Sequence, residues 1–235
     1  MRPEGDIAGA TAAHRRLVEE LGGLTDADAR RASLLPGWSV GHVLTHVARN
    51  AESHTRMFEA AARGEVDDQY PGGPEQRAAD IESGADRPAR ELLADVSATC
   101  AALEAAWQRI DDATWARGRG RVTDGARPIA ELPYRRWREV EIHHTDAGVG
   151  LTPVDWTDDF VGRELTAMVA GLPRRIEPGT ALELVASDTG EHWTVSGPGV
   201  PDAMVTVEDD RRRLLAWLLG RLDETGFPPI ASWQR

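Results

Sequence analysis

The segment LPGWSVGHVLTHVA, residues 35–48, decides the fold of this chain. A Pro-Gly turn comes first, and Ser39 follows at the position of a helix N-cap, where its hydroxyl accepts hydrogen bonds from otherwise unpaired backbone N–H groups. Behind the serine, apolar residues recur at spacings of three and four, the spacing of one helix face. The segment therefore predicts a long amphipathic helix over residues 40 to about 62.

The same periodicity predicts further helices on both sides of this one. They cover residues 6–21, 75–82, 87–110 and 130–147. Residues 64–75 hold two prolines and three glycines and predict a loop. Residues 117–128 contain three glycines and a proline, and they predict an irregular crossing or a short hairpin.

The pattern changes after Gly148, Gly150 and Pro153. One more helix is predicted at 158–172, then strands at 181–186, 192–195 and 202–207, and a last helix at 209–222. We therefore expect a helix bundle over residues 1–150 and a small α+β domain over residues 151–235.

Charge and cysteine content narrow the class of protein. With a formal net charge of −12 and scattered arginines, the chain gives no sign of the clustered basic surface that nucleic-acid binding needs. The arginines of residues 135–138 and 211–213 are interpreted as solvated helix faces. Cys100 is the one cysteine and is interpreted as a small buried hydrophobe. Without a signal-peptide segment or an apolar run of ~18 residues, we expect a cytoplasmic monomer with no membrane contact.

Three side chains suggest a metal site. Glu139 and His143 are four residues apart on one predicted helix, so their side chains lie on the same face. With His46 from another helix they would form a two-histidine, one-glutamate set with open coordination positions, which is typical of catalytic zinc sites. Asp146 follows His143 by three residues and is either a hydrogen-bond acceptor that fixes the imidazole tautomer or an ordinary helix-end residue.

Spacing alone leaves the choice of ligands open. His42 and His46 are also four residues apart and would be able to chelate a metal by themselves. Glu141 with His144 or Thr145 gives further combinations. The sequence pattern therefore predicts a His/Glu pair on one helix without fixing the third ligand.

Two more motifs accompany the first, RWREVEIHHTD at 136–146 and LLAWLLGR at 214–221. Residues 35–48 resemble the first metal-ligand helix of the DinB-like metalloenzymes, and residues 136–146 resemble their second ligand segment. Over nearly its whole length the chain resembles the mycothiol-dependent maleylpyruvate isomerase family. The resemblance implies an α+β protein, with an N-terminal DinB-like four-helix bundle and a smaller, sterol-carrier-like C-terminal domain.

The resemblance also implies the site residues and cofactors. The family's metal ligands fall on His46, Glu139 and His143, with zinc or another divalent metal as the cofactor. Its carboxylate-binding arginines best match Arg77 and Arg221. Mycothiol would serve as the thiol cosubstrate, and the substrate would be a small dicarboxylate.

In the reaction that the resemblance implies, the mycothiol thiolate adds to the cis double bond of maleylpyruvate, a step in the degradation of aromatic compounds. Rotation about the resulting single bond and loss of the thiol leave fumarylpyruvate. Two alternatives fit the same motifs. One is a mycothiol S-transferase that acts on another electrophile, in detoxification or biosynthesis, and the other is a non-catalytic, metal-dependent ligand-binding protein.

Overall fold

A computed structural model describes residues 1–222 and 226–232 of the chain. The chain divides into two compact units, Met1–Leu151 and Thr152–Arg235. The first unit is mainly helical, and the second combines helices with a three-stranded sheet, which confirms the predicted α+β class. Within the described ranges, no helix combines the length and apolar character that a membrane span needs.

The first unit is a four-helix bundle. Its long helices are α1 (Glu4–Glu20), α3 (Val40–Ala62), α5 (Ala89–Arg109) and α7 (Leu132–Asp146). Helices α1 and α3 each pack against both α5 and α7, so the four apolar faces enclose one core. Shorter helices α2 (Asp26–Ala29), α4 (Gly73–Ala85) and α6 (Asp112–Arg117) lie in the connections.

Helix α3 begins where the opening motif predicts. The Ser39 side chain accepts a hydrogen bond from the His42 backbone N–H, while the His42 ring nitrogen accepts one from the Ser39 N–H. This is a capping box in which histidine replaces the usual Glu or Gln. Gly37 has φ +79°, a conformation that glycine adopts without strain and that turns the chain into the cap. The cap thus fixes the register in which α3 presents its inward face.

The glycine-rich segment at 117–128 is a hairpin, the second of the two predicted interpretations. Strands β1 (Arg119–Val122) and β2 (Gly125–Pro128) pair antiparallel. Two other details differ from the prediction. Helix α4 is longer than residues 75–82, and the six-residue helix α6 was not predicted, although Asp111 caps it through the Thr114 N–H.

The interpretation of residues 135–138 as a solvated face is wrong for Arg136. This side chain is fully buried in the bundle core. Its guanidinium donates to the Val47 carbonyl, to Oδ1 of Asn50, to Nε2 of His14 and to Sγ of Cys100, at distances of 2.8 to 3.3 Å. Cys100 is buried as predicted. A buried polar group is tolerated only where hydrogen-bond partners satisfy it. Helical periodicity did not reveal this cluster, because the partners of Arg136 lie on other helices.

The second unit contains α8 (Asp158–Gly171), strands β3 (Thr180–Ala186), β4 (His192–Ser196) and β5 (Ala203–Asp209), and α9 (Arg211–Leu218). The strand order is β4-β3-β5, with β4 antiparallel and β5 parallel to β3. Helix α8 packs against α9. The parallel pair requires a crossover between β4 and β5, so the sheet is mixed rather than a simple meander.

The last helix is shorter than the predicted 209–222. Asp209 still belongs to β5, and Asp210 caps α9 by accepting from the N–H groups of Arg212 and Arg213. At the other end, Gly220 has φ +67°, and the N–H of Arg221 bonds back to the Ala216 carbonyl. A glycine in this conformation terminates a helix, which places residues 219–222 outside α9.

Candidate metal centre

The three proposed ligands come together inside the first unit. His46 lies on α3, and Glu139 and His143 lie one turn apart on α7, which packs against α3. The His46 side chain is 4% exposed and that of His143 is 12%, while Glu139 retains 34%. The cluster is therefore largely withdrawn from water, with its more accessible side at the glutamate.

The distances between the ligand atoms fit a divalent metal. Nε2 of His46 lies 3.2 Å from Oε2 of Glu139 and 3.1 Å from Nε2 of His143. The His143–Glu139 pair is 3.5 Å apart. Ligands about 2.1 Å from a tetrahedral zinc ion lie about 3.4 Å from one another. In the described part of the chain, these residues form the group of His, Cys, Asp and Glu side chains that converges closely enough to hold a metal ion.

Asp146 supports one of the imidazoles. Its Oδ2 lies 2.9 Å from Nδ1 of His143, and the carboxylate is 1% exposed. An acceptor at Nδ1 keeps the proton on that nitrogen and leaves Nε2 to face Glu139 and His46. Carboxylates behind metal-binding histidines commonly have this role. Of the two interpretations of Asp146, the geometry therefore favours an acceptor that fixes the imidazole tautomer over an ordinary helix-end residue.

Arg77, one of the predicted substrate-binding arginines, lies directly beside the cluster. Its Nη2 donates to Nδ1 of His46 at 3.1 Å, and its guanidinium carbon stands 5.4 Å from the centroid of the Tyr70 ring. The α4 helix thus brings a cation to the side of His46 opposite Glu139. A guanidinium held in this way is well suited to bind a carboxylate group next to the cluster.

Burial and hydrogen bonding set the charges of the cluster. Burial lowers the pKa of His46 to about 4, against the effect of its hydrogen bond with Glu139. Burial also opposes charge on His143, but the hydrogen bonds with Asp146 and Glu139 outweigh it and raise the pKa of His143 to about 9. For Glu139, burial favours the neutral acid, yet hydrogen bonds with both histidines hold its pKa well below the usual range. The cluster therefore favours a carboxylate at Glu139 and opposite protonation preferences at the two histidines.

The other ligand combinations are not brought together. His42 is engaged in the cap of α3, and its Nε2 lies 3.1 Å from Glu82 on α4. Glu141 faces α1, where it accepts from Arg16, and it also accepts from the Trp137 indole at 3.3 Å. His144 likewise lies near Glu20 of α1. Because α1 is on the other side of α7, these groups cannot join the His46 cluster.

The sequence profile described as "Mycothiol maleylpyruvate isomerase N-terminal domain" matches residues 10–148, more than half of the chain. The chain belongs to this family. It is a family of enzymes, which contradicts the non-catalytic alternative.

Two solved structures resemble this member of the mycothiol maleylpyruvate isomerase family over its full length. One is the crystal structure of the mycothiol-dependent maleylpyruvate isomerase, with a TM-score of 0.86, 22% sequence identity, and coverage of 99% of this chain and 98% of that chain. The other is a histidine-to-alanine mutant of the mycothiol-dependent maleylpyruvate isomerase, with a TM-score of 0.85 at the same identity and coverage. At this identity the likeness concerns the fold. A comparison with curated proteins gives no match.

Arg221, the second predicted substrate-binding arginine, belongs to the second unit. Its Nη1 donates to the Leu219 carbonyl at 2.7 Å, at the C-terminal end of α9. A cation in this position also interacts favourably with the helix dipole. Its role toward a substrate stays a prediction.

Two aromatic residues at the cluster were not assigned a role from the sequence. The Trp38 ring meets the His46 ring edge-on, with centroids 5.6 Å apart, and stacks on His42 at 6.2 Å. Tyr70 lies under Arg77, and burial raises the pKa of its phenol. The Pro-Gly-Trp-Ser turn directly precedes the helix that carries His46, so it was a sequence signal that Trp38 lies near the cluster. Tyr70 lies in a predicted loop, where periodicity does not indicate which way a side chain points.

Proposed function

We propose that this protein is a mycothiol-dependent cis–trans isomerase that converts maleylpyruvate into fumarylpyruvate with the help of one divalent metal. The observation that carries the proposal is the convergence of His46, Glu139 and His143 within 3.1 to 3.5 Å of one another. This convergence occurs in a chain of the mycothiol maleylpyruvate isomerase family. We also propose that the protein is monomeric and cytoplasmic.

Zinc is the metal that we assign first. Two histidines and a glutamate are an established donor set for catalytic zinc, and three protein ligands leave coordination positions open. Other first-row divalent ions bind such donors as well, so the identity of the metal rests on measurement. Once bound, the metal would stabilise a thiolate over a thiol, whose pKa is otherwise about 8.5.

The chemistry needs no oxidant and no second cosubstrate. The thiolate sulfur forms a bond to one carbon of the cis double bond, and the π electrons move onto the neighbouring carbonyl to give an enolate. Rotation about the new single bond follows, the enolate electrons re-form the double bond, and the carbon–sulfur bond breaks. The thiol is returned unchanged, and the product differs only in the geometry of its double bond.

The protein supplies charge and position for these steps. Arg77 carries a fixed positive charge beside His46, where it would bind a substrate carboxylate and favour the enolate. We propose that Arg221 binds the second carboxylate of the substrate, because it ends the family motif at residues 214–221. Asp146 orients His143 and so preserves the shape of the metal centre. Cys100 is buried against Arg136, away from this chemistry, so the thiol comes from the cosubstrate.

The deciding assay incubates metal-loaded protein with maleylpyruvate, with and without mycothiol, and follows fumarylpyruvate. We expect formation of fumarylpyruvate only with mycothiol. The Glu139→Gln variant should lose at least about 100-fold in turnover, since it removes a ligand charge. Glu131→Gln, an exposed residue just before α7, is the matched control and should behave like wild type.

A different product would point to the S-transferase alternative. If mycothiol becomes conjugated to a bimane electrophile while maleylpyruvate is left unchanged, the isomerase proposal is wrong and the transferase takes its place. Turnover of maleylpyruvate without any thiol would contradict both.

A further inference from the structure

A second feature of the first unit lies next to the metal centre. A shallow cleft with an accessible volume of about 60 Å³ opens between α3, α4 and the loop that precedes α4. Polar side chains dominate its walls, and those that matter here are Arg49, Glu52, Arg56, Tyr70, Arg77 and Asp80. Sites that enclose a small molecule have volumes of about 300–1,000 Å³, so a ligand in this cleft would lie along its surface and stay partly open to solvent.

The cleft and the metal cluster share a wall. Arg77 lines the cleft and at the same time donates to Nδ1 of His46. On α3, Arg49 follows His46 by three residues, and Glu52 and Arg56 continue the same stripe at helical spacing. A ligand with its reactive end at the cluster would therefore extend past Arg77 along this stripe.

The arginines of the cleft are held in place by contacts on its outside. Arg49 donates to Asp95 of α5 at 2.6 Å, and Asp95 is held in turn by Arg87 at 2.7 Å. Arg56 donates to the Gln69 carbonyl at 3.0 Å, which ties α3 to the loop. Such contacts reduce the entropy that these long side chains would lose when a ligand binds.

The charges of the cleft are balanced. Three arginines face two carboxylates, Glu52 and Asp80, and Asp95 neutralises Arg49 from behind. The Glu52 side chain is 49% exposed and that of Arg56 is 42% exposed, so both donors and acceptors are open to a ligand. A dicarboxylate would meet two like charges here, whereas hydroxyl groups can both donate to the carboxylates and accept from the arginines.

We propose that this cleft binds the hydroxyl-rich, uncharged body of the thiol cosubstrate, the amino sugar and inositol of mycothiol. This inference rests on the proposed function in that mycothiol is the thiol. Most polar atoms of that body are hydroxyls, which match a wall of alternating arginine and carboxylate groups. The dicarboxylate then binds at the cluster with Arg77 and does not enter the cleft.

The test measures binding without turnover. Mycothiol with its sulfur blocked by a fluorescent bimane is titrated with protein, and fluorescence anisotropy gives the dissociation constant. Bimane-blocked N-acetylcysteine, which lacks the sugar and inositol, is the reference probe. We expect wild-type protein to bind the mycothiol probe at least tenfold more tightly than the reference probe.

Two cleft variants have close controls farther along α3 and at its C-cap. Glu52→Gln and Arg56→Met should each weaken binding of the mycothiol probe about fivefold or more and leave the reference probe unchanged. Glu59→Gln and Arg63→Met remove the same charges outside the cleft, from side chains 51% and 60% exposed, and should stay within twofold of wild type. Metal content should be equal in all five proteins.

Equal binding of the mycothiol probe by wild type and both cleft variants would overturn the proposal. Equal losses of affinity for the two probes would also overturn it. So would a result in which maleate displaces the mycothiol probe from wild type but not from Arg56→Met. The two levels of the proposal can fail separately. Cleft-dependent binding without isomerisation would contradict the function alone, whereas isomerisation with an unchanged KM for mycothiol in both variants would contradict the cleft alone.

Discussion

Arg77 shows how one residue can serve two partners. It donates to Nδ1 of His46, and its neighbourhood also includes the Tyr70 ring and the cleft. A histidine that binds a metal through Nε2 carries its proton on Nδ1, where it needs an acceptor and not a second donor. Metal binding is therefore expected to release Arg77 from His46 and make the guanidinium available to a carboxylate.

Replacement of Arg77 by methionine tests this coupling. We expect Arg77→Met to bind zinc at least as tightly as wild type. The change removes a positive charge near the metal and a donor that competes with the Nδ1 proton of His46. The KM for maleylpyruvate should rise about tenfold or more, since a carboxylate loses its partner. Isothermal titration with zinc and steady-state kinetics give the two values. Arg90→Met, on a side chain 87% exposed, serves as control, and weaker zinc binding with unchanged KM in Arg77→Met would refute the coupling.

Asp146 makes a different contribution, because it acts only through His143. Asp146→Asn should lower zinc affinity about 10- to 100-fold, the usual effect of removing a carboxylate behind a ligand histidine. A competition assay with a chromophoric chelator measures this change. Asp112→Asn, on the exposed first turn of α6, should have no effect. Unchanged zinc affinity in Asp146→Asn would mean that the 2.9 Å contact does not orient the imidazole.

At the level of elements, local signals in the sequence predicted some boundaries closely and missed others. The Ser39 cap placed the start of α3, since a cap and a preceding turn depend only on neighbouring residues. The short helix α6 was missed because six residues carry too little periodicity, even with Asp111 as its cap.

The site was predictable only in part, for a related reason. The spacing of Glu139 and His143 follows from helix geometry, whereas the approach of His46 depends on how α3 packs against α7. The family resemblance supplied that third residue. The Arg136 cluster shows the limit most clearly, because each of its partners lies far away in sequence.

Arg136 joins α7 to the other three bundle helices and should contribute strongly to stability. Arg136→Met removes the donor that Arg136 provides to the Val47 carbonyl, Asn50 and His14, so we expect the free energy of unfolding to fall by about 2–4 kcal/mol. The neighbouring Arg135 is 33% exposed and pairs with Asp124, and Arg135→Met should cost less than about 1 kcal/mol.

Urea denaturation of the two variants provides the comparison. A loss in Arg136→Met no larger than in Arg135→Met would show that the buried guanidinium is not a structural tie. A second variant, Arg136→Lys, should recover only part of the loss, because an ammonium cannot reproduce the planar set of donors.

For the whole molecule, buried histidines set the response to acid. Burial lowers the pKa of His54 to about 3, with Arg136 adding to the effect, and burial lowers those of His46 and His144 to about 4. In the unfolded chain these groups titrate near 6.5, so below that pH the unfolded state binds protons that the native state does not. Stability should therefore fall progressively from about pH 6.5 down to about pH 4.

His54→Leu isolates one part of this acid response. His54 is 1% exposed, and its Nδ1 has no hydrogen-bond partner among the described residues. The variant should show a smaller drop in Tm between pH 6.5 and 4.5 than wild type, while His192→Leu, on an exposed position of β4, should match wild type. Identical Tm profiles for His54→Leu and wild type would contradict the assignment of a neutral, buried imidazole.

The metal-binding cluster proposed here and the cleft both lie within the helix bundle of the first unit. Both depend on α3, which carries His46 on its inward face and the stripe of Glu52 and Arg56 farther along. The metal dependence of catalysis is therefore the point at which fold, site and function can be tested together.

Titration of metal-free protein with zinc, at fixed mycothiol and maleylpyruvate, is that test. Fumarylpyruvate formation should rise linearly with added zinc and reach a plateau at about one equivalent, and His46→Ala should show little activity at any zinc concentration. Full activity before any metal is added, or a plateau in His46→Ala equal to that of wild type, would contradict the assignment of His46, Glu139 and His143 as the catalytic metal site.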